Sequence, residues 1–399
     1  VKHWNNEVAN GQVCPKCAKS TKRRTGALHQ MVTTSHDNLA LSVVVGKKTG
    51  NATLDGDAMK EYLATTTGIV YDFIKLLADK RMYGTALSYM EAYRRFWVPV
   101  SGAPGYYHVH PGLNPCGTDH LRWSSNNPNM QNVSGESKEI SNRACFGPLP
   151  DREWWRMDFK SIENRIPAYE SGQMEMVELF ERPKEPPFYG SYYLLNASIT
   201  CPDLFWSLAE REGAFKREQP LAYKRVKFGT LAMQYGCGEH KADKLFRLRG
   251  AFKLLKDRLP KLTALQDHYL RLAERNGYVE TLPDRTVDPE RGYPILASRT
   301  EDGRVLSTTP FCYHISGSAC WCKNTALVRC ADQCAAWRAD GFDAHVALEV
   351  HDELLFEGPS EEADTVAEVV REQMEKTVSL TVPLTVDVGV ADNWRDAKP

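Results

Sequence analysis

The spacing of apolar residues predicts a chain that is helical over much of its length. In residues 58–98, apolar side chains recur at intervals of three and four, which predicts helices. Residues 101–118 are rich in Gly and Pro and favour loops and short strands, and residues 277–310 are rich in turns. Residues 171–275 again favour helices, and four prolines are expected to interrupt them: Pro183, Pro186, Pro187 and Pro220.

Strand patterns lie near the middle and the end of the chain. WWRMDF (154–159) is a short apolar run with an aspartate near its end, which is typical of a buried strand. A hairpin is predicted from residues 344–350 and 354–357, which flank His351-Asp352-Glu353. The remaining pattern predicts a long helix over 316–339, an amphipathic helix over 360–378 and a strand over 382–390.

Composition and charge fit an ordinary globular protein of two or three subdomains. The chain has 399 residues, of which 42% are hydrophobic and 25% charged, and its net charge is −1. The charge is uneven, since residues 1–150 hold 17 Lys and Arg against 11 Asp and Glu, whereas residues 331–399 hold 5 against 16. A basic front and an acidic end favour a DNA-binding surface separate from a metal site, although two solvated faces would give the same counts.

The N-terminal residues and the cysteines indicate a cytoplasmic protein. The chain has no signal peptide and no apolar run of the ~20 residues that cross a membrane, and because it begins with Val1 we expect a fragment of a longer protein. Its 11 cysteines lack a disulfide framework. Cys14 and Cys17 form a lone C-x-x-C, which His29 and His36 complete only weakly as a zinc site, and Cys330 and Cys334 are expected to be buried.

Two aspartates are the strongest candidates for chemistry. Asp158 and Asp352 each lie at the edge of an apolar strand, where burying a carboxylate costs free energy unless a partner compensates. Aspartates from adjacent strands can hold two Mg²⁺ ions about 4 Å apart, which is the arrangement used for phosphoryl transfer. The alternative is that each aspartate merely ends its strand.

Five segments in order resemble DNA polymerase family A. WRMDFKSIENR (155–165) resembles its motif A, Asp-x-x-x-Ile-Glu-x-Arg, and LEVHDELLFE (348–357) resembles its motif C, His-Asp-Glu. LRWSSNNPNMQN (121–132), NGYVETLPDR (276–285) and VPLTVDVGVADNW (382–394) are similar to other segments of that family. The resemblance covers the chain from about residue 60 to its end.

The segment YKRVKFGTLAMQYGCG (223–238) stands where the family has motif B. The family has a Lys eight residues before a Tyr-Gly pair, and Lys227 with Tyr235-Gly236 satisfies that spacing on one helical face with Leu231. Anchoring instead on Phe228-Gly229 leaves the Tyr-Gly pair three residues too late. In the preferred alignment Leu231 replaces an aromatic residue and Tyr223 replaces an Arg, which resembles a divergent phage-type branch. Lys224 or Arg225 would supply the missing cation, unless both are solvated.

The resemblance implies a role for each residue near the reacting atoms. Asp158 and Asp352 would be the ligands of two Mg²⁺ ions, with Mn²⁺ as a substitute, and the carbonyl of Phe159 would add a ligand. Lys227 would contact the triphosphate of the nucleotide, with Tyr235, Leu231 and Lys224 nearby. Glu163 would close the sugar pocket and exclude a 2′-hydroxyl; the alternative for Glu163 is an ion pair with Arg165.

It also implies contacts with primer–template DNA. Arg122 would reach the primer-terminal base pair, and Glu353 would contact DNA or only shape the metal site. Four residues would line the DNA groove, namely Asn129, Gln131, Asn132 and His351. Four cations of the thumb would contact phosphates, namely Arg94, Arg95, Lys47 and Lys48. The alternative for these four cations is that they are merely solvated. Ser161 and Ser316-Gly317, with His314 close by, replace the family's Gln and Gln-Gly, so minor-groove contacts are expected to differ.

The fold implied is α+β, a right-hand polymerase with an antiparallel-sheet palm and helical fingers and thumb. The thumb, short at its start, would span 1–100, the palm 101–170 and 310–399, and the fingers 171–309. The partners implied are primer–template DNA and deoxynucleoside triphosphates, and no membrane. The protein is expected to be a monomer in the cytoplasm, which would be that of a host cell if a phage encodes it.

A single-subunit RNA polymerase is the rival enzyme, against which Glu163 and Glu353 argue. A non-catalytic DNA-binding accessory subunit is the rival outside enzymes, and the presence of Asp158, Lys227 and Asp352 argues against it.

The two alignments of the fingers helix differ in their predictions for dideoxynucleotides. In this family an aromatic residue stacks on the incoming nucleotide, and a tyrosine hydroxyl there replaces an absent 3′-hydroxyl. Leu231 lacks this donor, so we expect strong discrimination against dideoxynucleotides, which Leu231→Tyr should relieve by roughly ten- to hundredfold. If Phe228 occupies that position instead, Phe228→Tyr gives the relief. Terminator incorporation by both variants decides, and no response from either would contradict both alignments.

Overall fold

The computed structural model divides the chain into two compact units, Val1–Arg95 and Phe96–Pro399. The structure describes residues 13–14, 19–20, 56–133, 141–283, 288 and 290–398.

The described residues of the first unit form a short strand pair and two helices. Strands β1 (Val13–Cys14) and β2 (Lys19–Ser20) pair antiparallel. Helices α1 (Gly56–Thr65) and α2 (Gly68–Arg94) share a small core that includes Tyr62 and Ile74. The helical pattern predicted over 58–98 is therefore interrupted at residues 66–67 and ends at Arg94.

The second unit begins with short strands and continues through the central strand into a helical region. Its first elements are β3 (Trp97–Pro99), β4 (Tyr107–Val109), β5 (Gly112–Asn114), β6 (Ser124–Asn126), β7 (Glu153–Phe159), α3 (Ile162–Ser171), α4 (Met174–Glu181), α5 (Tyr192–Thr200), α6 (Pro202–Trp206), α7 (Ala214–Glu218), α8 (Pro220–Gln234), α9 (Glu239–Phe246), α10 (Ala251–Arg258) and α11 (Pro260–Asn276). Pro220 begins α8 and does not break a helix, because proline fits the first helical position, where no N–H donor is needed.

The C-terminal part completes a four-stranded sheet. Its elements are β8 (Tyr278–Glu280), β9 (Pro294–Leu296), α12 (Pro310–Ala339), β10 (His345–Val350), β11 (Glu353–Gly358), α13 (Ala363–Glu375) and β12 (Val386–Ala391). The strand order is β10-β11-β7-β12, and every neighbouring pair is antiparallel. The prediction of an α+β chain with an antiparallel sheet is confirmed. The subdivision into thumb, palm and fingers stays a prediction.

Strand alternation gives the sheet one apolar and one polar face. In β7, Trp155, Met157 and Phe159 enter the main core together with residues of α3, α12 and α13. Arg156 and Asp158 point to the opposite face. Cys330 and Cys334 lie in the same main core, as predicted. Among the helices that the structure describes, none combines the length and the apolarity that crossing a membrane requires.

Predicted and observed boundaries also differ at the long helix and at the last strand. The long helix begins at Pro310 and not at residue 316, since its first two turns add buried contacts from Phe311 and Ile315. The last strand begins at Val386 and not at residue 382. The four residues before it form a loop, because Pro383 cannot donate a ladder hydrogen bond and its carbonyl accepts one from Arg165 at 2.5 Å.

A buried ion pair links α12 to β10. Lys323 and Glu349 form an ion pair with side chains only 1% and 3% exposed. Glu349 also accepts a hydrogen bond from Gln131 Nε2 at 3.3 Å, and the Lys323 ammonium lies 4.8 Å from the centre of the Trp123 ring. The pair is therefore almost fully removed from water.

Removing one member of this pair should destabilise the fold strongly. We expect Glu349→Ala to lower the free energy of unfolding by about 3–5 kcal/mol, because it leaves the Lys323 charge buried without a partner. The double variant Lys323→Met/Glu349→Leu should recover most of that loss. Urea unfolding measures both, with exposed Glu361→Ala as the control. A loss for Glu349→Ala no larger than that of the control would contradict the buried pair.

Candidate active site

The two candidate aspartates lie side by side at one end of the sheet. Asp158 is the last but one residue of β7, and its register partner on β11 is Glu353, the residue after Asp352. Asp352 occupies the turn of the β10–β11 hairpin, where His351 adopts the left-handed backbone conformation with φ 56°. The Phe159 N–H donates to the Asp352 carbonyl at 3.2 Å, which fixes the turn against β7.

The charge around the two aspartates is under-compensated. Burial raises the pKa of Asp158 to about 6, with Glu353 and Asp387 adding to the shift and Arg156 opposing it. Burial also raises the pKa of Asp352, and the Glu163 and Asp158 carboxylates add to it while Arg122 and Lys323 oppose it. Carboxylates whose charge is not fully compensated suit a divalent cation that prefers oxygen ligands. Among the described residues no group of three or more His, Cys, Asp and Glu gathers as metal ligands. The ligand set that the family resemblance implies, Asp158, Asp352 and the Phe159 carbonyl, stays a prediction.

The neighbouring Glu353 is already neutralised by cations of the chain. It is 5% exposed and forms ion pairs with Arg156 and, at 3.2 Å, with Arg143, while the Trp394 indole donates to it at 3.0 Å. Arg156 also reaches Asp158 at 3.2 Å. This geometry favours the second role considered for Glu353, that of shaping the site.

Sequence reasoning missed the two arginines that hold Glu353. Arg156 lies two residues before Asp158, so strand alternation alone puts both side chains on one face and could have identified it. Arg143 comes from a short helical turn, Asn142–Cys145, that is 210 residues away from Glu353 along the chain. No sequence signal marks that contact.

Glu163 accepts hydrogen bonds from three separate elements. Arg122 donates to Oε1 at 2.5 Å and Ser316 to the same oxygen at 2.9 Å, while the Tyr235 hydroxyl donates to Oε2 at 2.7 Å. Burial and the Glu163 charge raise the pKa of Tyr235, which therefore stays a donor at neutral pH. Burial alone would lower the pKa of Arg122, but Glu163 and Asp352 more than offset it, so the pKa is raised.

The alternative of an ion pair between Glu163 and Arg165 is wrong. The Arg165 guanidinium points to the other side of α3, where it donates to the carbonyls of Lys160 and Pro383 and stacks on Phe180. Burial lowers the pKa of Arg165 to about 10. Glu163 therefore pairs with Arg122, whose role at a primer terminus stays a prediction.

Helix α8 carries the candidate nucleotide-binding residues from Lys227 to its C-terminal end. Tyr235 is the C-cap residue, and Gly236 follows with φ 70°, where a Cβ atom would meet Thr308 Cα at 2.9 Å, so glycine is required. Lys227 is exposed and lies 5.9 Å from the centre of the Tyr193 ring. Because eight residues separate them, Lys227 stands ~12 Å along the axis from Tyr235.

The other residues of the motif B segment that were considered for nucleotide binding also lie on α8. Lys224 stands 5.7 Å from the centre of the Phe228 ring, and Phe228 is 48% exposed whereas Leu231 is partly buried. Tyr223 packs edge-on against Phe215. The dideoxynucleotide experiment distinguishes the alignment that puts Leu231 at the nucleotide from the one that puts Phe228 there.

The candidate DNA-binding residues have different surroundings. Gln131 is almost buried, and its backbone N–H donates to Asn129 Oδ1 at 3.0 Å, whereas Asn132 and His351 are exposed. Arg94 and Arg95 are exposed at the end of α2. Lys47, Lys48, Cys17, His29 and His36 lie outside the described residues, and of Cys14 only the backbone is described.

Comparisons with known proteins identify relatives along nearly the whole chain. The family model for DNA polymerase family A matches residues 26–396. DNA polymerase I of Geobacillus stearothermophilus is 30% identical over 383 residues, which cover 92% of this chain and 39% of that protein. The thermostable DNA polymerase I of Thermus aquaticus is 27% identical over 298 residues, covering 73% of this chain and 33% of that protein.

A solved structure has the same fold. The POL domain of Pol1 from M. smegmatis, in complex with DNA primer-template and dNTP, aligns with a TM-score of 0.72 and 24% identity. The alignment covers 93% of this chain and 61% of that one. The predicted right-hand fold is thereby confirmed. The chain spans about two fifths or less of the length of the curated relatives it matches.

Replacing Asp158 by Asn should stabilise the protein at neutral pH in EDTA. The pKa of Asp158 rises from 3.8 to about 6 on folding, so above about pH 6 the folded state holds a disfavoured charge. Below about pH 3.8 the carboxyl is protonated in both states and this penalty vanishes. We expect Asp158→Asn to raise the urea midpoint at pH 7.5 and to raise it less at pH 5. The exposed Asp332→Asn serves as control, and a midpoint lowered at pH 7.5 would contradict the crowding of carboxylates.

Proposed function

The chain belongs to DNA polymerase family A, and from this membership we propose that it is a template-directed DNA polymerase, which adds deoxynucleotides to a primer 3′ end. The observation that carries the proposal is that Asp158, near the end of β7, lies beside Asp352 in the β10–β11 turn. Both aspartates have raised pKa values, and the Glu163 cluster acts on the charge of Asp352.

The two aspartates fit divalent metal ions as cofactors. Both are hard oxygen donors whose charge the neighbouring cations leave under-compensated, and Mg²⁺ prefers such ligands, with Mn²⁺ as a substitute. When bound, two such ions would activate the primer hydroxyl and neutralise charge on the departing phosphate. Asp158, Asp352 and the Phe159 carbonyl would hold them. Glu353 stays outside this set because Arg156 and Arg143 occupy it.

The fingers helix α8 would bind the triphosphate and the base. Lys227 is exposed on the same helix whose end touches Glu163 through Tyr235, so one rigid element connects the sugar position with a cation about two turns away. Neutralising charge on the phosphates is the main demand of phosphoryl transfer. Lys224 would supplement Lys227, and Leu231 would contact the base.

Glu163 would select deoxynucleotides. Its carboxylate is 15% exposed and fixed by three donors, so it cannot swing away to admit a 2′-hydroxyl without losing hydrogen bonds. This feature separates the proposal from a single-subunit RNA polymerase. Incorporation of all four ribonucleotides as efficiently as deoxynucleotides would favour the RNA polymerase instead.

Primer–template DNA would lie against the palm and the thumb. We infer a thumb at 1–100, a palm at 101–170 and 310–399, and fingers at 171–309. Arg122, Asn129, Gln131, Asn132 and His351 would line the DNA groove, with Gln131 acting mainly by holding Glu349. Arg94 and Arg95 would contact phosphates, which makes DNA binding weaken as salt rises. The monomeric state, the cytoplasmic location and the phage-type branch stay predictions.

Neutralising either aspartate should abolish synthesis without abolishing DNA binding. We expect Asp158→Asn and Asp352→Asn each to reduce primer extension by at least a thousandfold in Mg²⁺, because each removes a charge that the ions require. Affinity for primer–template DNA should stay within about threefold, since phosphate contacts lie elsewhere.

The control for this experiment is Asp332→Asn, an exposed aspartate on α12. It should keep extension close to that of the unmodified chain. Near-normal extension by either Asp158→Asn or Asp352→Asn would refute the assignment. Equal loss of DNA binding and extension would point to misfolding, which the urea midpoint of each variant detects.

A further inference from the structure

Two carboxylates of α3 connect this helix to the first turns of α12. Glu163 and Glu170 are seven residues apart, which puts both on one side of α3. Glu163 accepts a hydrogen bond from Ser316, and Glu170 contacts the His314 ring. Helix α12 therefore touches α3 at two points, one on either side of Ile315.

The contact at His314 is buried and polar. The ring is 1% exposed; its Nδ1 lies 2.5 Å from the Glu280 carbonyl and its Nε2 lies 2.6 Å from Glu170 Oε2. A carbonyl only accepts, so Nδ1 carries a proton, and a hydrogen bond joins Nε2 to Glu170. The Tyr269 ring stacks on the imidazole at 3.9 Å and its hydroxyl donates to Glu170 at 2.9 Å.

Close packing fixes the next turn of α12 as well. A Cβ atom on Gly317 would meet Ile295 Cδ1 at 2.3 Å, so glycine lets α12 lie directly on β9. The Ser318 hydroxyl donates to the His314 carbonyl at 2.6 Å and accepts from the Leu282 N–H at 2.8 Å. Ser316, between these anchored residues, is 1% exposed and has little freedom to move.

The hydroxyl of Ser316 is thus held at one oxygen of the Glu163 carboxylate. Its Oγ donates to Oε1 at 2.9 Å, the oxygen that also accepts from Arg122. Arg122 is partly exposed, and its long side chain can follow the carboxylate if the carboxylate rotates. Ser316 is short and anchored, so it resists such a rotation at Oε1, as the Tyr235 hydroxyl does at Oε2.

We propose that Ser316 is a positioning residue for sugar selection: it holds the Glu163 carboxylate at the angle that excludes a 2′-hydroxyl. This rests on the proposed function, in which Glu163 closes the sugar pocket. At the same place the family resemblance would put a glutamine directed at DNA. In this chain the position serves the nucleotide sugar.

The test compares ribonucleotide with deoxynucleotide incorporation, as the ratio of the two kcat/KM values. Ser316→Ala should raise relative ribonucleotide use by roughly tenfold, because one hydrogen bond to a charged group is lost. Ser316→Thr keeps the hydroxyl and should keep discrimination. Ser316→Cys keeps the size but offers a weak donor, so it should behave like Ser316→Ala even if the alanine variant folds poorly.

The matched control is Ser318→Ala on the same helix, which removes a buried hydroxyl that does not contact Glu163. It should lower the urea midpoint and leave the ratio unchanged. Glu163→Ala tests the premise and should relax discrimination more than any serine variant. If Glu163→Ala leaves the ratio unchanged, the role of Glu163 in the proposed function fails. If Glu163→Ala relaxes it and neither Ser316→Ala nor Ser316→Cys does, the inference about Ser316 alone is refuted.

Discussion

The distribution of cations among crowded carboxylates is the constraint on which the rest of this structure depends. Four carboxylates, those of Asp158, Glu163, Asp352 and Glu353, converge at one end of the sheet. Glu353 holds two arginines and an indole, and Glu163 holds an arginine and two hydroxyls. Among the described residues, Asp158 forms an ion pair with Arg156 alone, and Asp352 has only the longer-range attraction of Arg122 and Lys323. The cations of the chain therefore neutralise the charge of the two glutamates and leave the charge of the two aspartates largely uncompensated.

This uneven compensation sets function against stability. A charged aspartate in a partly buried site destabilises the fold at neutral pH, which is why its pKa rises. A large core on the opposite face of the same sheet offsets this cost. The strand that carries Asp158 also inserts Trp155 and Met157 into the main core, with α12 and α13 packed against them. Rigid burial on one face thus supports an unfavourable charge on the other.

Helix α12 performs a second task besides forming the core. Alongside apolar residues it buries Lys323, His314 and Ser316. The carboxylate partner of Lys323 lies on β10, and the carboxylate partners of His314 and Ser316 lie on α3. Buried polar groups of this kind are costly if one partner moves, so they specify one position of the helix rather than adding much stability. That position determines where Glu163 lies relative to the aspartates. The proposed sugar selection and the proposed metal binding would therefore depend on the same helix.

The sequence by itself determined the elements and the candidate list, because both depend on local patterns. The apolar run before residue 158 and the helical spacing over residues 316–339 were sufficient for a buried strand and the long helix. The ordered motifs were sufficient for the family, and the antiparallel sheet was implied by that resemblance. Only the tertiary structure decided which charges meet. The pairs Arg122–Glu163 and Arg143–Glu353 join residues 41 and 210 positions apart, and the alternative pair of Glu163 with Arg165 does not form. No local periodicity encodes such distant contacts, since they arise only when packing brings separate elements together.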